Sequence, residues 1–352
     1  MTPGLKFPLV ILLSILFLSA CRTGVGPTYA IRDFRPALQP ALVTIVSNCI
    51  LDDYDSASKF IINHASNEEL KQLSASEHPL LRALALKAML GKPGFDSYRV
   101  MMEHLDDTAV VAEDMGEFGS QYIKVSDFLI QQGTWKSHAD KEKTVAEVLL
   151  HHNYLDAAYT ISDKIPAQER YYSSIRAMAQ RDERFDMLEH ALYSLAQFKK
   201  LTDTGLIKTK LMENTWRMSE PSFRLMRDYP NDTYLDVLEK YYRPFYRNIS
   251  WAKGGMTENG GYYFDALASY KEQRSAVVLE RILNRKPFCN GPVDTVSLKY
   301  HLRDAIWSNP CPAYAKLREQ IKQQVAKDKK DNIEIPVEPL IDTFPEIIRW
   351  WY

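Results

Sequence analysis

From Ala41 onward, apolar residues recur at the three- and four-residue spacing of helices that bury one face. Leu42, Val43, Ile45, Val46 and Ile50 open the series and predict a first helix with Cys49 in its core. Ser66-Asn67-Glu68-Glu69 has the form of a capping box, in which Ser66 and Glu69 satisfy each other's orphan amides. Asp52, Asp53 and Asp55 stand where a helix starts, a place for capping carboxylates. Pro79 suits the first turn of a helix that runs to Gly91, and Pro166 is expected to open another after Ile165. Gly91, Gly133 and Gly205 mark breaks, and a later helix is expected over 294–308. No series of alternating positions predicts a sheet, and 121–128 is the most ambiguous stretch.

The helices carry a repeat. Ala88 is followed by the apolar pair Met101 and Leu105, and Ala266 is followed at the same offsets by Leu279 and Leu283. Ala305 is followed by Leu317 and Ile321, each one position nearer to its anchor. In the middle of the chain a shorter spacing holds: Ala146 precedes Ala157 and Ile161 as Ala177 precedes Leu188 and Leu192. A small residue lets the next helix approach closely, and an i, i+4 apolar pair on that helix faces it. The anchor offsets, 177 − 146 = 31 and 305 − 266 = 39, lie near the tetratricopeptide and HEAT periods.

Pro79-Leu80-Leu81-Arg82-Ala83-Leu84-Ala85-Leu86-Lys87-Ala88-Met89-Leu90, followed by Leu105-Asp106-Asp107 and Val110-Val111, resembles a HEAT repeat. That family places an arginine and small residues on the first helix and an aspartate after the second. The likeness is clear over one repeat and fades over two more, where only Arg303 keeps a comparable place near Ala305. The expected fold is all-α, a helix-hairpin solenoid of the HEAT or tetratricopeptide kind, with a closed α/α toroid as the alternative.

The N-terminus has a different pattern. Lys6 precedes an apolar run from Leu9 to Leu18, and Leu18-Ser19-Ala20-Cys21 follows. The apolar segment from Phe7 to Ala20 has 14 residues, broken by Pro8 and Ser14, against the roughly 20 needed to span a bilayer. An ordinary secretory signal needs no cysteine at this point. The segment resembles the signal and lipobox of bacterial lipoproteins. That resemblance implies removal of residues 1–20, diacylation of Cys21 and a place in the cell envelope. Arg22, which is not a retention aspartate, points by the same resemblance to the outer membrane, facing the periplasm. Residues 21–40, with Gly24, Gly26, Pro27, Pro36 and Pro40, read as a tether. Residues 41–332 form the expected helical domain, with possible divisions near 135 and 230. The apolar tail 333–352, ending Trp350-Trp351-Tyr352, is expected to dock on the last helices or to meet a partner.

Charge and chemistry narrow the function. Lys and Arg number 44 against 45 Asp and Glu, a balance without the basic excess of a nucleic-acid binder. After Cys21, the cysteines are Cys49, Cys289 and Cys311. The last two flank the helix at 294–308 and either bridge its ends or remain as two buried thiols. No Cys-x-x-Cys or His-Glu-x-x-His is present, so no metal is expected. The Glu-His pairs at 77–78, 103–104 and 189–190 read as solvated helix ends. No P-loop, dinucleotide fingerprint or Gly-x-Ser-x-Gly occurs, and no cofactor is expected.

The glycine-rich stretch Lys253-Gly254-Gly255 to Asn259-Gly260-Gly261 lies between Trp251 and Tyr262-Tyr263-Phe264-Asp265. Trp251, Tyr262 and Tyr263 are therefore the candidate partner-binding residues, set against the reading that these aromatics pack inward. The expected function is that of a lipid-anchored interaction scaffold, or of an inhibitor or immunity-type binder for another envelope protein. The alternative is a glycan-active hydrolase or lyase with Glu258 and Asp265 as its carboxylates.

Overall fold

The computed structural model describes residues 29–52, 55–116, 119–133, 137–181, 184–251, 259–284 and 292–330; at 246–251, 292–298 and 328–329 it describes the backbone alone. Among these residues are 17 α-helices and one antiparallel two-stranded sheet, so the protein is mainly α-helical. The described residues divide into two compact units, with the boundary between 158 and 159.

The first unit contains α1 (Gln39–Asn48), α2 (Ser56–His64), α3 (Asn67–Ser74), α4 (Pro79–Gly91), α5 (Ser97–Met102), β1 (Val110–Asp114), β2 (Ser120–Lys124), α6 (Val125–Gln132) and α7 (His138–His151). At its centre, α4 touches α1, α2, α3, α5, α6 and β1. A helix packed from so many sides must be apolar nearly all round, and Leu80, Leu81, Ala83, Leu84, Ala85, Leu86, Ala88, Met89 and Leu90 are all buried. The capping box forms as expected. The Glu69 amide donates to Ser66 Oγ at 3.2 Å, and the Ser66 amide donates to Glu69 Oε2 at 2.8 Å. Asp55 caps α2 by accepting from the Ser58 amide at 3.1 Å.

Three expectations are corrected in this unit. Phe34 and Leu38 are buried, so the packed domain starts within the segment expected to be a tether. Pro40 lies in the first turn of α1, where its missing N–H costs no hydrogen bond. Cys49 is exposed, not core. It caps α1 in the left-handed region at φ 57°, and this turn of the backbone carries its side chain off the buried stripe of Leu42 and Ile45. Lastly, Val110 and Val111 belong to a strand rather than a helix. β1 pairs with β2 from Val110 opposite Lys124 to Asp114 opposite Ser120, across a turn with Gly116 and Gly119 at positive φ.

The division between the units falls within α8 (Asp156–Lys164). The second unit continues with α9 (Tyr172–Gln180), α10 (Phe185–Ala196), α11 (Thr204–Glu213), α12 (Glu220–Asp228), α13 (Asp232–Trp251), α14 (Asn259–Ser269), α15 (Gln273–Asn284), α16 (Pro292–Ser308) and α17 (Ala315–Lys330). Its packing alternates. The helices α10, α12, α14 and α16 each lie against the next of that series, and α11, α13 and α15 do the same. Neighbours in sequence, such as α10 and α11 or α14 and α15, pack across between the two series. Pro166 does not open a helix: a 3₁₀ turn at Glu169–Tyr171 intervenes before α9.

The core of this unit is aromatic. Tyr263 on α14 sits 4.9 Å from Tyr241 and 5.0 Å from Phe245, both on α13, and 5.8 Å from Phe223 on α12, ring centre to ring centre. The anchors Ala266 and Ala305 are buried, as is Ala88 in the first unit. Ala146 and Ala177 are only half-buried, and Val145, Val148 and Met178 hold the core positions beside them.

Candidate functional site

The aromatic segment expected to meet a partner is only partly available. Tyr263 is fully buried, and its hydroxyl donates to the Leu238 carbonyl oxygen at 2.9 Å. This corrects its assignment as a binding residue. The reason lies in the helix start: Asn259, Gly260 and Gly261 form the first turn of α14 rather than a loop, which fixes Tyr263 and Phe264 on the core side. Tyr262 is half-buried at the edge of that face. The Trp251 side chain, Glu258, Cys289 and Cys21 lie outside the described residues. Cys311 is a free, half-buried thiol at the start of the 3₁₀ turn Pro312–Tyr314.

The structure gathers a different set of side chains on α8, α10, α12, α14 and α16. Asp163, near the end of α8, has a side chain only 1% exposed. Its Oδ2 accepts from His190 Nδ1 on α10 at 3.0 Å and lies 3.8 Å from Arg224 Nη1 on α12. Its other oxygen, Oδ1, has no hydrogen-bond partner among the described residues. The Arg224 guanidinium stacks 4.5 Å from the Tyr193 ring centre, and Tyr193 donates its hydroxyl to Asp228 Oδ2 at 3.1 Å. Arg227 Nε donates to Asp228 Oδ1 at 2.7 Å. Arg227 also lies in the electrostatic field of Asp265 on α14, which in turn feels Asp304 on α16. Hydrogen bonds, an ion pair and a ring stack thus link α8, α10 and α12, and the fields of Asp265 and Asp304 extend the charged strip to α14 and α16.

Burial sets the electrostatics of this strip. It pushes the Asp265 carboxyl above the ordinary aspartate range; Arg227 opposes that shift and Asp304 adds to it. Burial likewise pushes Tyr193 up to about 12. His301 on α16 is depressed by burial, against a smaller opposing pull from Asp304. Glu189 is buried in the middle of α10, which corrects its reading as a solvated helix end. It accepts from the Ser219 amide at 3.1 Å, from Ser222 Oγ at 2.8 Å and from Ser219 Oγ. Its carboxylate therefore satisfies the N-terminus of α12 from the neighbouring helix.

Asp163, His190 and Arg224 were not singled out in the sequence as site residues. The Glu189-His190 dipeptide was the available signal, but the partners of His190 stand far from it in sequence, on the preceding α8 and the following α12. Among the described residues no group of three or more His, Cys, Asp and Glu side chains could hold a metal ion. No described helix is long and apolar enough to cross a membrane. No protein-family model matches the chain, and no curated protein or solved structure is similar to it.

Proposed function

We propose that this chain is a lipid-anchored protein of a bacterial cell envelope that works by binding another protein. It serves as an assembly scaffold or as an inhibitor or immunity-type binder. Cys21 carries the lipid, the outer membrane is its site, and its helices form a solenoid of HEAT-like and tetratricopeptide-like hairpins. The observation that carries this reading is the strip of ionisable and aromatic side chains that starts at Asp163 near the end of α8 and continues over α10, α12, α14 and α16 to Asp304. Stacked hairpins offer long continuous surfaces, and such surfaces suit protein partners. The two-pronged pair of Arg82 and Asp107 supports the HEAT-like reading, since it joins the arginine of a first helix to the aspartate after the second.

Photo-cross-linking in cells tests the proposal. A photoreactive amino acid in place of Asp304, on α16, is expected to capture one discrete envelope protein. The same group in place of Val277, on α15 in the other series, is expected to capture none. No adduct from position 304, or the same adducts from both positions, would overturn the reading.

A further inference from the structure

In the second unit, a cleft of about 300 Å³ opens where the α10–α11 and α12–α13 connections come together. Its walls include Leu201, Ile207, Tyr229, Pro230 and Tyr234, and its polar groups include Lys199, Lys200, Asp228 and Asn231. This is the lower end of the size range of small-molecule sites, which are mainly apolar with a few polar groups that fix orientation. None of the side chains named for a partner in the sequence contributes to it.

The polar groups differ in how far they are already used. Asp228 accepts from Arg227 Nε at 2.7 Å and from the Tyr193 hydroxyl at 3.1 Å, so its charge is compensated. Lys200 is 2.6 Å from Glu169 and 3.3 Å above the Tyr172 ring. Lys199 has no ion-pair partner among the described residues; its ammonium stands 5.9 Å from the Tyr229 ring centre. Asn231 spends its side-chain oxygen on Thr233, accepting from the amide at 3.0 Å and the hydroxyl at 2.7 Å. Its backbone oxygen is held by the Tyr270 hydroxyl at 3.2 Å. Its side-chain NH₂ is left as the available donor. The cleft therefore offers one uncompensated cation and one amide donor, and no uncompensated carboxylate.

The apolar side is equally one-sided. Leu201 is 82% exposed at the cleft, while Ile207 and Tyr234 form a buried wall. Burial raises the Tyr234 hydroxyl above its ordinary range, against the opposing hydrogen bond with Thr204, as expected for a dry wall. A ligand that covers Leu201 and rests on Tyr229 gains apolar contact while its anionic end meets Lys199.

We propose that this cleft binds a small organic monocarboxylate, with its single ring or short aliphatic body against Leu201, Ile207 and Tyr229 and its carboxylate on Lys199 and Asn231.

Lys199 also supplies a clean variant. It occupies the left-handed region at φ 54°, just past the end of α10, where glycine is the favoured residue. Lys271 holds the same conformation after α14, so the conformation itself belongs to these helix ends and is not a mark of function. Lys199→Gly removes the ammonium without straining the fold, and Lys271→Gly makes the same backbone change away from the cleft.

Ligand-observed saturation-transfer NMR on the full-length chain as isolated from cells decides the matter, with benzoate, benzamide and benzylammonium as probes. Benzoate is expected to bind at least about tenfold more tightly than either of the others, a difference of about 1.4 kcal/mol. Lys199→Gly is expected to weaken benzoate binding by a similar factor with no fall in melting temperature, and Lys271→Gly to leave binding unchanged. The proposal is overturned by an absence of benzoate binding, by benzamide or benzylammonium binding as tightly, or by both lysine variants behaving alike.

Discussion

Arg82 shows how much one side chain can join. It is buried on α4, and its Nε and Nη2 donate to the two oxygens of Asp107 at 2.7 and 2.9 Å. Its Nη1 donates to the carbonyl oxygens of Ser76 and Glu77 at 3.0 and 3.2 Å. Asp107 in turn accepts from the Ala109 amide at 3.3 Å. The planar guanidinium matches the carboxylate as a fork, which a lysine cannot reproduce. Truncation of one member of a buried pair leaves the other charge without compensation, at a cost of about 3–5 kcal/mol. Arg82→Ala is therefore expected to lose that much stability in urea unfolding, and Arg82→Lys to recover only part of it. A loss below about 1 kcal/mol would place the pair among weakly contributing surface ion pairs. Arg82 and Asp107 were legible one by one, through the resemblance of this stretch to a HEAT repeat, but not as a pair. Asp163, His190 and Arg224 were not legible, because their meeting depends on how α8, α10 and α12 stack, and no local pattern encodes that.

At the scale of elements, the 3.6-residue period located the helices well, because a buried stripe leaves a strong trace in the sequence. The start of α4 at Pro79 and the cap at Ser66 follow from terminal signals, a first-turn proline and a capping box, and the helix expected over 294–308 ends where α16 does, at Ser308. Short strands leave little trace. β1 and β2 are five residues each, and one partner of β1 is Leu51, far off in sequence, whose amide donates to the Ala112 oxygen at 2.7 Å. Glycine also misleads at this scale. Gly205 is the second residue of α11 and breaks nothing, and Gly260 and Gly261 start α14 instead of loosening it. The result is a fully buried Ala266 on a helix that touches α12, α13, α15 and α16. Extra methylenes at such a site force off-rotamer side chains or backbone shifts, so Ala266→Leu is expected to cost about 1–3 kcal/mol. Chemical unfolding measures it directly, and a change near zero would show that α14 has room its neighbours do not display. The half-buried Ala177 provides the contrast: Ala177→Leu is expected to cost less, because the side chain can turn toward solvent.

For the whole molecule, the question is what holds it where it works. The net charge of −1 gives no electrostatic pull toward an anionic bilayer, and no described helix is long and apolar enough to cross one. Attachment in the proposed reading therefore rests on the lipid at Cys21. A single acyl chain binds a membrane only marginally, whereas two or more hold stably at about 0.8 kcal/mol per buried CH₂. Diacylation would be enough without any protein–lipid contact, and its loss should release the chain altogether. Packing begins by Phe34, so the stretch between Cys21 and the fold is shorter than glycine and proline content alone implied. Cys21→Ser removes the thiol and leaves every described contact in place. The variant is expected to remain an unprocessed precursor, to incorporate no labelled palmitate and to keep its helical circular dichroism. The parent chain is expected to take up label and to band with the outer membrane on a density gradient, as Arg22 at the following position implies. Palmitate uptake by the Ser variant, or unlabelled parent chain of mature length, would remove the lipid from the account and with it the reason to place this protein at a membrane.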